Sequence, residues 1–130
     1  MTAPPGFATV TPYIFVDEAD ALVAFLIRAL GGEEVGVHYR PDGAIANAQV
    51  RIGNATIMVS EASGAYPAMP ASYYLYVDDA DAAMARAIEG GATEIMPVDD
   101  MPYGDRQGGV RDPHGNIWWI SQRLSDAAYY

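Results

Sequence analysis

Eight short apolar runs in this chain predict strands, and two longer stretches repeat their apolar residues at helical spacing. Residues 8–16 and 72–77 are rich in Tyr, Val, Ile and Phe, which favour pleated structure. Each run leads into a helix start. Asp17 and Asp78 are N-cap candidates, and Asp20 and Asp81 follow where acidic groups favour the positive helix end. A first helix over about 18–30 places Ala19, Leu22, Val23, Leu26 and Leu30 on one face, and Gly31-Gly32 stops it. Gly90-Gly91 stops the second helix. Further strands are predicted at about 33–40, 44–52 and 55–60, then at 94–99, 107–112 and 117–122. Pro41-Asp42-Gly43, Gly53-Asn54 and Asp112-Pro113-His114-Gly115-Asn116 carry turn chemistry.

The two halves share more than an element order. At an offset of 61, residues 13–33 and 74–94 are identical at nine of 21 positions, among them Tyr13/Tyr74, Val16/Val77, Asp17/Asp78, Ala19/Ala80, Asp20/Asp81 and Glu33/Glu94. An internal repeat decides the fold reading before any single residue does. It predicts an α+β chain of two tandem βαβββ modules, with eight strands forming an open barrel and the helices outside. Module one covers about 7–61, a Gly- and Pro-bearing linker 62–71, module two 72–122 and a tail 123–130. The 130 residues suit a single domain of this kind, and neither half readily closes a core alone.

Composition removes function classes. The net charge is −10, which argues against nucleic acid and anionic membranes as partners and leaves room for a cationic small molecule. All seven basic residues are Arg, so Schiff-base chemistry on lysine is excluded. There is no cysteine, hence no thiolate nucleophile, disulfide or thiolate-bound zinc. No apolar run reaches the roughly 20 residues of a membrane helix, and Met1 to Gly6 do not read as a secretory signal, so a cytoplasmic location is expected. Nucleophile-elbow, phosphate-loop and dinucleotide motifs are missing, and no cofactor is implied.

The paired modules, the VDEADA and VDDADA elements after their first strands, and the closing YGDRQGGVRDPHGNIWWIS resemble the vicinal oxygen chelate superfamily of glyoxalases, bleomycin-resistance proteins and extradiol dioxygenases. Within it, TVTPYIFV, QVRIGNATIMVSE and the closing run are most similar to the small bacterial PhnB-like members. The resemblance covers about residues 7–122. It implies that metal-using members place four ligands on inward strand positions, which here fall on Thr11, Met58, Ser72 and Trp119. Divalent metals want imidazole or carboxylate, and these four residues supply neither. A two-residue misalignment brings in no His or carboxylate, so no metal is expected.

Alternation puts Thr9, Tyr13 and Phe15 on the face of Thr11, and Tyr74 and Tyr76 on that of Ser72. The expected ligand-binding set is Thr11, Tyr13, Gln49, Met58, Ser72, Tyr74, Arg106 and Trp119. Tyr13 and Tyr74 are candidates to sandwich a planar group, Gln49 and Asn47 to offer amides, and Arg106 either to grip a ligand carboxylate or to clamp the loop with Asp105. Catalytic residues are not predicted; should the chain be an enzyme, His38 or Tyr13 and Tyr74 are the proton-transfer candidates, and His114 reads as an exposed turn residue. The expected function is metal-independent binding of an aromatic or hydrophobic small molecule. A lyase or isomerase of the same superfamily is the alternative, and a metal-dependent glyoxalase-like enzyme the third. The resemblance further implies a homodimer.

Overall fold

The computed structural model describes residues 2–130 and contains ten elements: β1 (Tyr13–Val16), α1 (Ala19–Leu30), β2 (Glu33–Tyr39), β3 (Ile45–Ile52), β4 (Ala55–Glu61), β5 (Ser72–Tyr76), α2 (Ala80–Glu89), β6 (Thr93–Asp100), β7 (Asp105–Arg111) and β8 (Ile117–Arg123). The class is α+β, and the eight strands fall into two four-stranded sheets ordered β1-β4-β3-β2 and β5-β8-β7-β6. Two compact units result, one ending at Pro70 and one beginning at Ala71. In each, the first strand runs parallel to the fourth and the other pairings are antiparallel.

In module 1, alternation sends Ile14, Val16, Val50, Ile57 and Val59 to one sheet face, where Leu22, Val23, Phe25 and Leu26 of α1 are buried with them. Phe25 joins the helix face predicted from sequence. In module 2 the helix is slighter: Ala80, Met84 and Ala87 are its buried residues. Its core leans instead on Trp118, whose ring stacks on Tyr73 with centroids 4.7 Å apart. Gly108 makes room for α2, since a Cβ there would lie 2.8 Å from the Met84 methyl.

Three expectations need correction. The first strand begins at Tyr13, not at residue 8. Pro12 has no N–H to give a sheet, and only its carbonyl is used, by the Met58 amide at 3.0 Å. The helix caps also differ. Asp17 does not cap α1; Glu18 precedes the helix at φ 61°, a left-handed conformation uncommon outside glycine, and makes no side-chain cap. The amides of Glu18 and Ala19 donate instead to the Glu61 carboxylate at the end of β4, both at 2.9 Å. For α2 the capping residue is Asp79, not Asp78: its side chain accepts from the Ala82 amide at 3.1 Å. Gln122 of β8, the repeat partner of Glu61, accepts from the Ala80 amide at 3.0 Å.

The third correction concerns the repeat itself. An offset of 61 holds where β1 meets β4 and β5 meets β8, because Tyr13 pairs with Met58 and Tyr74 with Trp119. It does not hold at the base of the middle hairpins. Met58 faces Gln49, whereas Trp119 faces Gly109; Glu33 faces Arg51, whereas Thr93 faces Arg111. There the offset is 60, and the Glu33/Glu94 identity is not a structural equivalence. At the hairpin tips it returns to 61, since Tyr39 faces Ile45 as Asp100 faces Arg106. The lost residue returns in the β7–β8 turn, since Arg51 pairs with Thr56 but Arg111 with Ile117.

Candidate functional site

The sheet face turned away from each helix carries the chemistry. In module 1 one cross-strand row runs Tyr13, Met58, Gln49, Gly36, and the neighbouring pairings are Phe15 with Ser60 and Asn47 with His38. Tyr13 is 47% exposed, its ring tilts against Phe15 at 4.9 Å, and its hydroxyl hydrogen-bonds the Ser60 hydroxyl at 2.7 Å. Thr11 and Met58 line a recess of about 400 Å³ with Phe7, Thr9 and the first described residues. His38 is exposed on β2. Gln49 is half-buried and its amide donates to Asn47 at 3.4 Å.

In module 2 the corresponding row is Tyr74, Trp119, Gly109, Met96. Gly109 explains the posture of Trp119: a Cβ there would sit 2.7 Å from the indole ring, so the ring lies over bare backbone. Trp119, Tyr74, Tyr73 and Met96 are the aromatic and thioether walls of a cavity of about 580 Å³, and Ser72, Tyr103 and Gln107 give it polar points. The Tyr103 hydroxyl donates to Oε1 of buried Gln107. Such a cavity, mostly apolar with few polar groups, has the size and make-up of a small-molecule site.

The structure thus gathers Ser72, Tyr74 and Trp119 around one cavity, and Thr11 and Met58 around a separate recess within module 1. Tyr73, Met96, Tyr103 and Gln107 escaped the sequence reading. Tyr74/Trp119 alternation could have led to Gln107 through the strand pairing, had the offset in β7 been taken as 60. Tyr103 lies in a loop and carries no such signal.

Arg106 does not clamp Asp105. Adjacent strand residues point to opposite faces, and Arg106 instead pairs with Asp81 through Nε at 2.8 Å and Nη2 at 3.1 Å, and with Asp100 through Nη1 at 2.9 Å. These hydrogen bonds, Asp81 first, hold the guanidinium more firmly protonated and the Asp81 carboxyl below its usual range. Asp105 lies fully buried at the start of β7. Its Oδ2 accepts from Tyr74 at 2.7 Å and Tyr129 at 2.6 Å, and its Oδ1 from Arg123 at 2.9 Å. Burial pushes this carboxyl up, but the hydrogen bonds from Tyr129, Tyr74 and Arg123 outweigh it and hold it below the ordinary value. Burial, with the charge of Asp105, raises the Tyr74 phenol to about 12.

Asp112 is the other buried carboxylate. It accepts from the His114 and Asn116 amides, the Asn116 side chain at 3.0 Å and the Trp118 indole at 2.9 Å. This cage draws the turn inward, so His114 is half-buried, not exposed. Asp112 therefore locks β8, and with it Trp119, rather than meeting a ligand.

The donor set at the four positions implied for a metal is two hydroxyls, a thioether and an indole, which does not fit a divalent zinc, nickel, iron or manganese site. Among the described residues, no three His, Asp or Glu side chains gather as metal ligands. No helix among them is long and apolar enough to cross a membrane.

Comparison with known proteins agrees with this architecture. Residues 6–120 match the Glyoxalase/Bleomycin resistance protein/Dioxygenase superfamily. Protein Mb0911c of Mycobacterium bovis is 31% identical over 127 residues, covering 89% of this chain and 84% of its own length. The crystal structure of TioX from Micromonospora sp. ML1 superposes with a TM-score of 0.71 at 25% identity, covering 88% of this chain and 99% of TioX. TnmS3, an antibiotic binding protein from Streptomyces sp. CB03234, shares the fold with a TM-score of 0.69 at 21% identity, covering 89% of this chain and 97% of TnmS3. With both the sequence match and the βαβββ repeat in hand, the chain belongs to the glyoxalase/bleomycin resistance protein/dioxygenase superfamily.

Proposed function

We propose that this protein is a metal-independent binder of an aromatic or hydrophobic small molecule, acting as a cytoplasmic homodimer. The observation that carries the reading is the Trp119 ring lying over Gly109 in the wall of the module 2 cavity, beside Tyr74 and Met96. Such an arrangement presents a flat apolar surface, and planar ligands gain from offset stacking on it. Ser72, Tyr103 and Gln107 would orient the ligand by hydrogen bonds. A superfold neighbour that binds an antibiotic fits this class of activity. The metal-free part rests on the donor set described above, and the dimer on superfamily resemblance.

Both tryptophans lie on β8, and only Trp119 lines the cavity. A library of planar aromatics is screened by thermal shift and the hits titrated by indole fluorescence. Quenching that disappears in Trp119→Leu, with the fold intact by circular dichroism, supports the proposal; hits that bind Trp119→Leu as well as the parent overturn it. Elemental analysis of untagged protein finding stoichiometric nickel, zinc, iron or manganese refutes the metal-free part. Turnover of a hit, detected by mass spectrometry and lost in His38→Ala, replaces binding by lyase or isomerase chemistry.

A further inference from the structure

A second recess, of about 530 Å³, is lined by Tyr76, Val77, Asp78, Gln122, Arg123 and Tyr129. Tyr74 of the Trp119 cavity connects to it through its hydroxyl, which donates to the buried Asp105 carboxylate. On the recess side the same carboxylate oxygen accepts the Tyr129 hydroxyl at 2.6 Å. Because Tyr129 spends its one hydroxyl hydrogen on Asp105, the 2.8 Å contact with Tyr76 must be donated by Tyr76. The Tyr129 ring lies 4.2 Å from the Arg123 guanidinium carbon, in cation–π range. A phenol is thus held at its ring face, at its hydroxyl hydrogen and at its hydroxyl oxygen.

Two observations say that this arrangement serves recognition rather than the fold. The first is the counterpart in module 1. At the hairpin tips, where the Arg40 amide donates to the Ala44 carbonyl as the Met101 amide donates to that of Asp105, both at 2.7 Å, Asp105 corresponds to Ala44. The same hairpin position therefore folds around an apolar side chain, and burying a carboxylate there is costly unless its hydrogen bonds are made. The second is how Tyr129 is supplied. It belongs to residues 124–130, which form no regular element and are all exposed. Apart from the Leu124 amide on the Gly104 carbonyl, that segment is fastened through Arg123 and the Tyr129 hydroxyl: Arg123 Nη2 donates to the Ala127 carbonyl at 2.7 Å.

We infer that Asp105, Arg123 and Tyr76 form a binding site for a phenol, occupied in the free protein by Tyr129, and that the ligand is an aromatic bearing a hydroxyl that displaces it. This rests on the proposed binding of aromatic ligands by module 2 and narrows their class. The anchoring carboxylate needs a donor. A phenolic hydroxyl supplies one without bringing a second charge, and its oxygen then accepts from Tyr76. Displacing Tyr129 leaves Asp105 with Tyr74 and Arg123 until the ligand hydroxyl arrives. A tethered competitor lowers apparent affinity by the fraction of time the site is open.

The test compares 2-naphthol with 2-methoxynaphthalene, its methyl ether, by calorimetry on the full chain. Tyr129→Ala is expected to bind 2-naphthol about tenfold more tightly than the parent, as the release of one hydrogen bond to a charged group allows. Tyr129→Phe keeps the ring and frees the carboxylate, so its gain should be smaller but in the same direction. The ether should gain far less from either change, and Asp105→Asn placed in Tyr129→Ala should erase the preference for the hydroxyl. Thermal melts check that each variant folds, and Tyr129→Phe serves if Asp105→Asn does not. Equal binding of 2-naphthol by parent, Tyr129→Ala and Tyr129→Phe overturns the inference, as does an equal gain for the ether. If both probes bind the parent alike and lose binding in Trp119→Leu, the aromatic cavity stands and the phenol site falls. If no variant binds either probe, both fall.

Discussion

In module 1 the Tyr13 hydroxyl ends on a serine; in module 2 its counterpart Tyr74 ends on a buried carboxylate. The strand ladders around the two tyrosines are the same, but what they carry has diverged. Where module 1 has Gln49 opposite Met58, module 2 has Gly109 under Trp119. Where module 1 has Ala44, module 2 buries Asp105. The short Gly53-Asn54 turn becomes a turn built around buried Asp112. Module 1 thus keeps a well-filled helix–sheet core, whereas module 2 combines a slighter helix with polar cages and a larger cavity. Sequence repetition measures the shared scaffold, and the ligand chemistry lies in what fails to repeat.

The largest break in this comparison should come from the two turns. Asp112→Ala leaves two amides, a carboxamide and an indole N–H without their acceptor. A loss of about 4 kcal/mol is expected in urea unfolding, against less than about 1 kcal/mol for Asn54→Ala in module 1. A similar cost for both would mean that the Asp112 cage is incidental.

Exchanging chemistry at the Asp105/Ala44 position comes next. Ala44→Asp half-buries a carboxylate with no donors in place and should cost about 1–2 kcal/mol. Asp105→Asn should cost about 2 kcal/mol at neutral pH, by loss of charged hydrogen bonds. The pH dependence has a definite sign. The folded Asp105 carboxyl titrates below its unfolded value of 3.8, so its contribution is present above that value and lost as pH falls through the lower folded value. The gap between parent and Asp105→Asn should therefore be constant from neutrality to about pH 5 and narrow below about pH 4. A gap that widens on acidification would contradict the donor arrangement around Asp105.

The helix starts give a smaller contrast. Glu61→Ala should destabilise by about 1–2 kcal/mol, because it strips a charged cap from two amides and leaves Glu18 in a left-handed conformation. Gln122→Ala should cost about 0.5–1 kcal/mol, since the neutral amide caps Ala80 while Asp79 caps Ala82 on its own. Both are read from unfolding midpoints. The smallest effect is expected for Arg106→Ala: its ion pairs with Asp81 and Asp100 are exposed and solvent-screened, and the midpoint should not move measurably.

Most of the fold was legible in the sequence. Alternation gave the eight strands, and the VDEADA and VDDADA elements placed both helices within a residue or two. Met58 and Trp119 followed from the ligand positions that the family resemblance implies, Tyr13 and Tyr74 from alternation beside them, and the four pair as the repeat demands. What escaped depended on contacts between distant segments. Capping by Glu61 and Gln122 cannot be read from neighbours in the chain, since the Gln122 side chain serves a helix start 42 residues away. Asp105 looked like a loop residue beside Arg106, and nothing local says that its partners are Tyr74, Arg123 and Tyr129. Gly109 under Trp119 was hidden because a constant offset placed the wrong residue there.

The change of offset in the middle hairpins has a practical side for engineering. Residues 33–52 and 93–112 correspond at an offset of 60 at both ends, and opposite register shifts in their strands cancel in between, so they form an interchangeable cassette of equal length. A chimera spliced at Gly32/Ala92 and at Gly53/Pro113 transplants one hairpin into the other module without reversing which side chains meet the helix. A splice at either end of the cassette made at 61 would turn the transplanted strand inside out.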